Sequence, residues 1–434
     1  MAKDKLTDYD ATASNNTDVG GISVAEGMLP SGVNNAIREQ MSHLADFASG
    51  TSGVDVLKLQ DDTDTNSIKL QAPASVTADT TFTMPDGDGS ADQVLKTDGS
   101  GQLGFADRHA NPSLIINGAM TIDQRNGGSS VTPTADQTYV LDRFGAGLSV
   151  ASKFSLEQAT TVPAGFKNSM KATVVSAYTP GASEWFGFFQ KVEGLNTSHL
   201  DFGTSNAKTL TLSFWVRSSV TGDYGFSLAN SAQNRAYPVL YNISAADTWE
   251  YKTITIAGDT SGTWLTTNGI GLILLWSLGA GSSYLQTADA WGAGLGLGTT
   301  GQTNWITNAA ATFYITGVKL EVGETATPFD HSESYGETLA KCQRYYQSLS
   351  ARLFNAEGYF NSAGYGIYAA IALPVEMRSD PDITPPTPSA NGNTQAIIFS
   401  GYSSGILMSS VSNGAGSGYI YWSASTYVTA DAEL

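Results

Sequence analysis

The chain reads as a mainly β protein. It opens with an N-terminal helix and a shaft of small strands, continues into a jelly-roll-like β-sandwich and a short amphipathic helix, and ends in a β-rich tip. Three observations predict this. Charged residues are only 14% of 434, well below the usual quarter, and Gly, Ser, Thr and Asn take their place. Many runs alternate apolar and polar residues with period two between Gly, Asn and Ser turns. Only two stretches, 29–50 and 332–350, carry a helical apolar period.

Residues 1–50 begin polar and then form the first helix. In "LPSGVNNAIREQMSHLADFASG", Ser31 is the expected N-cap and Gly50 the stop. Val33, Ile37, Met41, Leu44 and Ala48 step by four and three, which draws one apolar stripe. A lone short helix is marginal in water, so the stripe is expected to pair with copies of itself or dock on a partner. Residues 51–110 hold short alternating runs, "VDVLKLQ", "SIKLQA", "TFTMP" and "QVLKTDGSGQLGFA", with "TDGSGQ" as a hairpin turn. They contain too few apolar groups for a core of their own, so burial is expected from other chains in an intertwined shaft.

Residues 111–331 read as one large antiparallel sandwich. In "TLTLSFWVRSS", Leu210, Leu212, Phe214 and Val216 share one face, and Thr211, Ser213, Trp215 and Arg217 the other. "GIGLILLWSLGAG" is strand-length and Gly-bounded, which reads as a buried strand. In "ATFYITGVKLEVG" the apolar phase flips at Gly317, and a bulge there keeps one face on the core. Residues 332–350 follow as a helix with Ser334 and Glu337 as a capping box. Its stripe is Tyr335, Leu339, Cys342, Tyr346 and Leu349. From 351 to 434 strands return around the Pro-rich break "RSDPDITPPTPSANG".

Charge and composition exclude several functions. A net charge of −18 argues against a basic nucleic-acid face and against docking on anionic membranes. The single cysteine, Cys342, rules out an internal disulfide and a thiolate-rich zinc site. The N-terminus shows no apolar signal segment, and no apolar run approaches membrane-spanning length. "GYSSG" (401–405) matches a nucleophile elbow, but no His follows His331, so it reads as a turn. "GLGTTG" (296–301) has the dinucleotide spacing without a following helix. "DGDGSAD" (86–92) resembles the start of a calcium loop but lacks its Gly and closing Glu. No cofactor and no metal site is expected.

Aromatic residues are the most suggestive feature. Trp264, Trp276, Trp291 and Trp305 lie in or beside Gly-rich segments, and "GYIYWSASTY" stands near the end of the chain. Such rings either pack in cores and between chains or stack on the apolar faces of sugars. Tyr419 and Tyr421 share one strand face, Ile420 and Trp422 the other. Ile420 favours its own face for the core, which exposes the tyrosine pair. The ligand-binding candidates are therefore Tyr419, Tyr421, Trp291 and Trp305.

Four stretches together resemble the tail fibre proteins of tailed phages and prophages. "DYDATASNNTDVGGISVAEGMLPSGVNNAIREQMSHLADF" resembles their N-terminal segment and "FTMPDGDGSADQVLKTDGSGQLGFA" their shaft. "NPSLIINGAMTIDQRNGG" with "YVLDRFGAG" resembles the opening of their sandwich, and "VKLEVGETATPFDHSESYGETLAKCQRYYQ" the junction that closes it. The stretches lie in the family's order over about residues 8–350, and "ALPVEMRSDPDITPP" is similar to the family's connector to a variable tip. The resemblance implies a homotrimeric fibre of the virion, assembled in the host cytoplasm. Its N-terminus would be fixed to a tail or adaptor protein, with Val33, Ile37, Met41 and Leu44 at the attachment or trimer contact. Its C-terminal half would bind a host polysaccharide such as lipopolysaccharide or capsule. The helix at 334–350 would couple sandwich and tip, its stripe facing either the three-fold axis or its own sandwich. The β-helix repeat of depolymerising tailspikes is not recognisable, so the expectation is a receptor-binding, non-enzymatic fibre. The alternatives are a capsule-degrading tail enzyme and a structural spacer that carries a separate receptor-binding protein.

Overall fold

The computed structural model describes residues 3–49, 56–60, 67–71, 81–89, 93–107, 111–423 and 426–434. The chain divides into two compact units, one of residues 1–90 and 95–106, the other of residues 91–94 and 107–434.

In the first unit the helix α1 spans Pro30–Ser49. It starts one residue before the expected cap: Pro30 takes the first helical position, where its missing N–H is no loss, and Ser31 falls inside the first turn. Val33, Ile37, Met41 and Leu44 are exposed along one side, while Ala36 and His43 are buried on another. The ring Nδ1 of His43 lies 2.8 Å from the Tyr9 hydroxyl. Asp18–Val19 (β1) and Ile22–Ser23 (β2) form a minimal hairpin. Val56–Gln60 (β3) and Ser67–Gln71 (β4) pair antiparallel, with Val56 opposite Gln71. Gln93–Thr97 (β5) and Leu103–Asp107 (β6) form another two-stranded sheet. Its "TDGSGQ" turn is held by the Asp98 carboxylate, which accepts from the amides of Ser100 (2.8 Å) and Gln102 (3.2 Å). These strands thus pair within their own chain. Of the "DGDGSAD" segment, Ser90 and Asp92 lie outside the described residues. Among the described residues no group of three or more His, Cys, Asp or Glu is placed to hold a metal ion, and no helix is long and apolar enough to cross a membrane.

The second unit contains a two-sheet sandwich. Its twelve strands are Thr138–Leu141 (β7), Phe144–Leu148 (β8), Phe154–Ala159 (β9), Ser169–Val174 (β10), Trp185–Glu193 (β11), Leu210–Ser218 (β12), Gly222–Ala229 (β13), Arg235–Ile243 (β14), Glu250–Ile256 (β15), Ile270–Ala280 (β16), Gly292–Ala293 (β17) and Thr312–Val322 (β18). One sheet runs β15-β12-β18-β10-β9 and the other β17-β14-β13-β16-β11-β8-β7. The alternation in β12 comes out as read: Leu210, Leu212, Phe214 and Val216 are fully buried between the sheets. Phe188 and Trp276 stack there at 5.2 Å between ring centres. The phase flip in β18 is a bulge opposite Ser213 to Trp215, and Gly317 takes φ +62°, a conformation costly for any other side chain.

The helix expected over 332–350 is shorter. α2 spans Tyr335–Gln343 with the Ser334–Glu337 capping box formed, and Tyr346–Ser350 is a strand, β19. Tyr346 and Leu349 therefore do not continue a helical stripe. Tertiary contacts outweigh the weak two-heptad period. The Arg143 guanidinium lies 3.5 Å from the centre of the Tyr345 ring, and that of Arg125 3.8 Å from Tyr346. Arg344 forks onto Glu193 at 2.6 and 2.9 Å. On α2 itself Cys342 is buried beside Asp142 and Arg143, so the packed side faces its own sandwich.

Beyond β19 come Ala356–Phe360 (β20), Gly366–Ala372 (β21), Asp382–Thr384 (β22), Ala390–Gly392 (β23), Ile398–Tyr402 (β24), Gly405–Val411 (β25), Gly416–Tyr421 (β26) and Tyr427–Asp431 (β27). They form three small antiparallel sheets, β19-β27-β22, β20-β26-β23 and β21-β25-β24, around a core of their own. "GYSSG" spans the tight turn from β24 to β25. The tail of the chain is tied back to the sandwich. Arg125 pairs with Asp431 (2.8 Å) and Glu433 (3.1 Å), Arg143 with Glu433, and the Lys191 ammonium donates to the Leu434 carbonyl oxygen at 2.5 Å.

Candidate functional site

The β20-β26-β23 sheet of the tip presents Tyr359, Tyr419 and Tyr421 on one face. Side chains directly opposite one another in antiparallel strands share a face. Tyr419 faces Glu357 on one side and Gly392 on the other, Tyr421 faces Ala390, and Ser417 faces Tyr359. Ile420 and Trp422 point the other way and are buried. Trp422 is fixed there by its indole N–H, which donates to the Pro386 carbonyl at 3.1 Å. The face assignment read from the sequence thus holds in the structure.

Tyr419 and Tyr421 are 37% and 36% exposed, and Tyr359 is 77% exposed. The two β26 rings stack at 5.5 Å with 24° between their planes. Gly392 makes room for Tyr419: a Cβ there would sit 2.8 Å from Cε1 of the ring, so a larger residue would shift the ring from its place across the neighbouring strand. The Tyr421 hydroxyl donates to the Glu357 carboxylate, and that bond pushes the Tyr421 phenol above its usual value. The result is a preset aromatic plate with a carboxylate acceptor at one rim and small side chains at the other. Rigid tyrosines of this kind give large contact area at little entropic cost. Glu357, Tyr359 and Gly392 were not among the residues singled out from sequence. The alternation in "AEGYF" was the available signal for the first two, whereas Gly392 becomes legible only from strand register.

The tryptophan candidates behave differently. Trp305 is fully buried, with its indole N–H directed at the Thr312 carbonyl at 3.3 Å. This corrects its reading as a ligand contact, because both ring faces are covered by core groups such as Phe313. Trp291 is half-buried and donates to the Ala257 carbonyl at 2.7 Å. It meets Trp264, Phe202 and Tyr237 edge to face, so it belongs to an aromatic cluster packed against the sandwich core. Tyr419 and Tyr421 lie together; the structure does not bring Trp291 or Trp305 to them in one site. Val33, Ile37, Met41 and Leu44 form an exposed stripe in the other unit.

No protein-family model and no curated protein matches the sequence. Among solved structures, the enzymatically active domain of tailspike protein 4 of bacteriophage CBA120 is 12% identical over 49% of this chain, with a TM-score of 0.27. The match spans about a fifth of that protein, 21% of its length. A putative sugar binding protein from Bacteroides thetaiotaomicron is 12% identical over 49% of this chain and 100% of its own, at 0.29. The family 11 carbohydrate-binding module from Clostridium thermocellum, solved with a mixed-linked tetrasaccharide, is 14% identical over 48% and 100%, at 0.24.

Proposed function

We propose that this chain is a phage tail fibre that binds a host surface glycan through its C-terminal tip. The observation that carries the glycan reading is the stacked, exposed Tyr419–Tyr421 pair with Glu357 at its rim. Sugar rings offer an apolar face to such a plate and hydroxyl groups to the carboxylate. The virion role rests on the resemblance of residues 8–350 to tail fibres. In that role the exposed stripe Val33, Ile37, Met41 and Leu44 would be covered by sister chains or by the tail protein that anchors the fibre. A homotrimer would carry three tips, so weak single sites would add up by multivalency. The tip is read as binding rather than cleaving, since glycoside hydrolysis typically uses two carboxylates and Glu357 is the one carboxylate among the outward residues of β20, β26 and β23.

The test is adsorption. Virions whose fibres carry Tyr419→Ala or Tyr421→Ala are expected to adsorb to host cells at least about tenfold more slowly, with fibre melting unchanged. Normal adsorption by both variants would remove the tip from the receptor site. Polysaccharide shortened by the purified protein would replace binding with cleavage. Light scattering on folded protein checks the trimer, and a monomeric mass would overturn it.

A further inference from the structure

The sandwich carries an aromatic face of its own on the outside of the five-stranded sheet. The inward residues of these strands fill the core, so alternation turns Tyr251 and Thr253 (β15), Trp215 and Arg217 (β12), Tyr314 and Thr316 (β18), Ser169 and Lys171 (β10), and Ser155 and Glu157 (β9) to the other face, where Tyr314, Thr316, Ser169 and Ser155 are covered by other parts of the chain and the rest are partly or fully open. Register aligns them in two rows. Tyr251 lies opposite Trp215, which lies opposite Thr316. Beside it run Arg217, Tyr314, Lys171 and Glu157, each opposite the next. Tyr251 is 43% exposed on an edge strand, Trp215 is half-buried, and their ring centres are 5.3 Å apart.

The floor has a wall. Phe166, Phe329 and His331 form a triad with centres 5.1–5.2 Å apart. A Cβ on Gly317 would sit 2.6 Å from Phe166 and 3.2 Å from Trp215, so the bulge glycine lies between wall and floor. Phe329 and His331 also line a cleft of about 470 Å³ together with Lys167, Asp330, Glu333 and Tyr335. Further along β12 and β18 the sheet is roofed: the Thr211 hydroxyl donates to the Gly323 carbonyl, and the Lys319 ammonium donates to Thr327 and Pro328. Over the aromatic part the cover is partial: Tyr314 is buried against Trp249, and Thr316 is buried and donates to the Asn168 carbonyl at 2.7 Å, while Tyr251 and Trp215 stay partly open.

The chemistry of this face selects its occupant. Its outward strand residues are aromatic, hydroxylic or charged, and Ala159 is the one aliphatic among those of β9, β10, β12, β15 and β18 before the bulge. The centre of a protein interface is depleted of Lys and Glu, whereas Lys171 and Glu157 lie on this face. The charges are balanced in pairs: Lys171 with Glu157 at 2.7 Å, and Arg217 with Asp247 at 3.1 Å. Each pair sets donors beside acceptors, which suits neighbouring hydroxyls, and neither cation of the two rows is left unpaired for a carboxylated sugar. We infer that this floor is a second glycan site, taking a strand of neutral pyranoses along Tyr251, Trp215 and Phe166. It extends the glycan reading of the tip to a separate surface of the same fibre.

The test titrates the whole chain with neutral gluco-, galacto- and manno-oligosaccharides and with oligogalacturonate, following tryptophan fluorescence and heat. The same titrations in the Tyr419→Ala/Tyr421→Ala double variant separate a failure of this site from a failure of the tip. Saturable binding of a neutral oligosaccharide that persists in the double variant is expected. Trp215→Ala and Tyr251→Ala should each weaken it by about tenfold or more, a loss of roughly 1.4 kcal/mol, and Trp215→Phe should retain part of it. Preference for oligogalacturonate, loss of all binding in the double variant, or no binding by any neutral member would each overturn the inference. So would a change of assembled mass in Tyr251→Ala, which would make the face a contact between chains.

Discussion

The sandwich and the tip are built from similar strands, yet they treat their aromatics in opposite ways. The sandwich encloses its large rings: Trp276, Trp305, Tyr224, Phe188, Phe214, Phe226 and Phe313 are all fully buried. The tip buries mostly Ala, Ile, Met and Val, with Trp422, Phe354 and Phe360, and leaves Tyr359, Tyr365, Tyr368, Tyr402, Tyr419, Tyr421 and Tyr427 outside. Two thick sheets can close on bulky rings, whereas three-stranded sheets have little inner area and push theirs outward. Interior rings make the sandwich core self-sufficient; exterior rings leave the tip with an exposed aromatic surface.

The largest expected effect tests that self-sufficiency. Trp276→Ala removes the centre of the stack with Phe188, and such truncations cost about 3–5 kcal/mol. Calorimetry should show the sandwich transition moved down sharply. Trp422→Ala costs a similar amount locally, but it should lower a tip transition and leave the sandwich transition in place. One common shift for both variants would show that the two cores unfold as one.

The junction decides whether the regions are coupled at all. Arg143 and Glu433 form a buried pair, with Arg125 adding a second cation. Glu433→Ala leaves Arg143 charged and without this partner, a change that typically costs about 3–5 kcal/mol in buried pairs. Some is recovered here, because the Arg143 guanidinium keeps its bond to the Lys191 carbonyl. The expected result is a tip that melts well before the sandwich. Unchanged, coincident transitions would show that the remaining ties, among them Arg125 with Asp431 and Arg378 with the Asn268 carbonyl, are enough to hold the regions together.

Acidity sharpens the same comparison, because two junction carboxyls respond with opposite sign. Burial lifts Asp142 from 3.8 to about 6. Its folded form therefore prefers the proton, and the stability it brings is full below about 3.8 and lost as pH rises through about 6. At Glu193 burial pushes upward, but hydrogen bonds from Arg344 and Tyr345 overcome it and hold the carboxyl below its usual 4.5. Its contribution is present above about 4.5 and fades as pH falls through the lowered value. Melting curves from pH 3 to 7 should therefore lose their acid slope in Glu193→Gln. In Asp142→Asn they should lose the decline between about 4 and 6. Unaltered slopes in both would place the titrating groups elsewhere.

What could be read from the sequence follows the same division. Strand alternation is a local signal, so the buried faces of β12 and β18, the Gly317 bulge and the split between Tyr421 and Trp422 were all legible. The capping box of α2 was legible too, since it needs only Ser334 and Glu337. The end of that helix was not. It is set by Arg125, Arg143 and Glu193, which lie some 150 to 220 residues away along the chain. The burial of Trp305 and the packing of Trp291 were missed for a related reason: a Gly-rich setting looks like an exposed loop until a sheet closes over it. The Trp215 row was half visible. Its phase was clear, but its neighbours Tyr251 and Tyr314 come from other strands, and register is not written in any one of them.

The smallest expected effect separates ring from hydroxyl on the tip. Tyr421→Phe keeps the stack with Tyr419 and removes only the bond to Glu357. That bond is exposed to water, so its loss should leave tip melting within a few tenths of a kcal/mol of the parent. Its consequence lies in binding. With the hydroxyl gone, Glu357 is no longer held against the plate, and its carboxylate becomes free to swing away or to meet a ligand directly. If Tyr421 serves to aim Glu357, Tyr421→Phe should weaken adsorption about as much as Glu357→Gln, and the double variant should be no worse than either. If Tyr421 acts only as a stacking surface, Tyr421→Phe should adsorb normally while Tyr421→Ala does not. The first outcome describes a preset polar contact, the second an aromatic plate whose rim carboxylate matters little. Glycan binding by the sandwich row predicts the sharper dependence on the ring, because there Trp215 meets Tyr251 ring to ring, at 5.3 Å between centres.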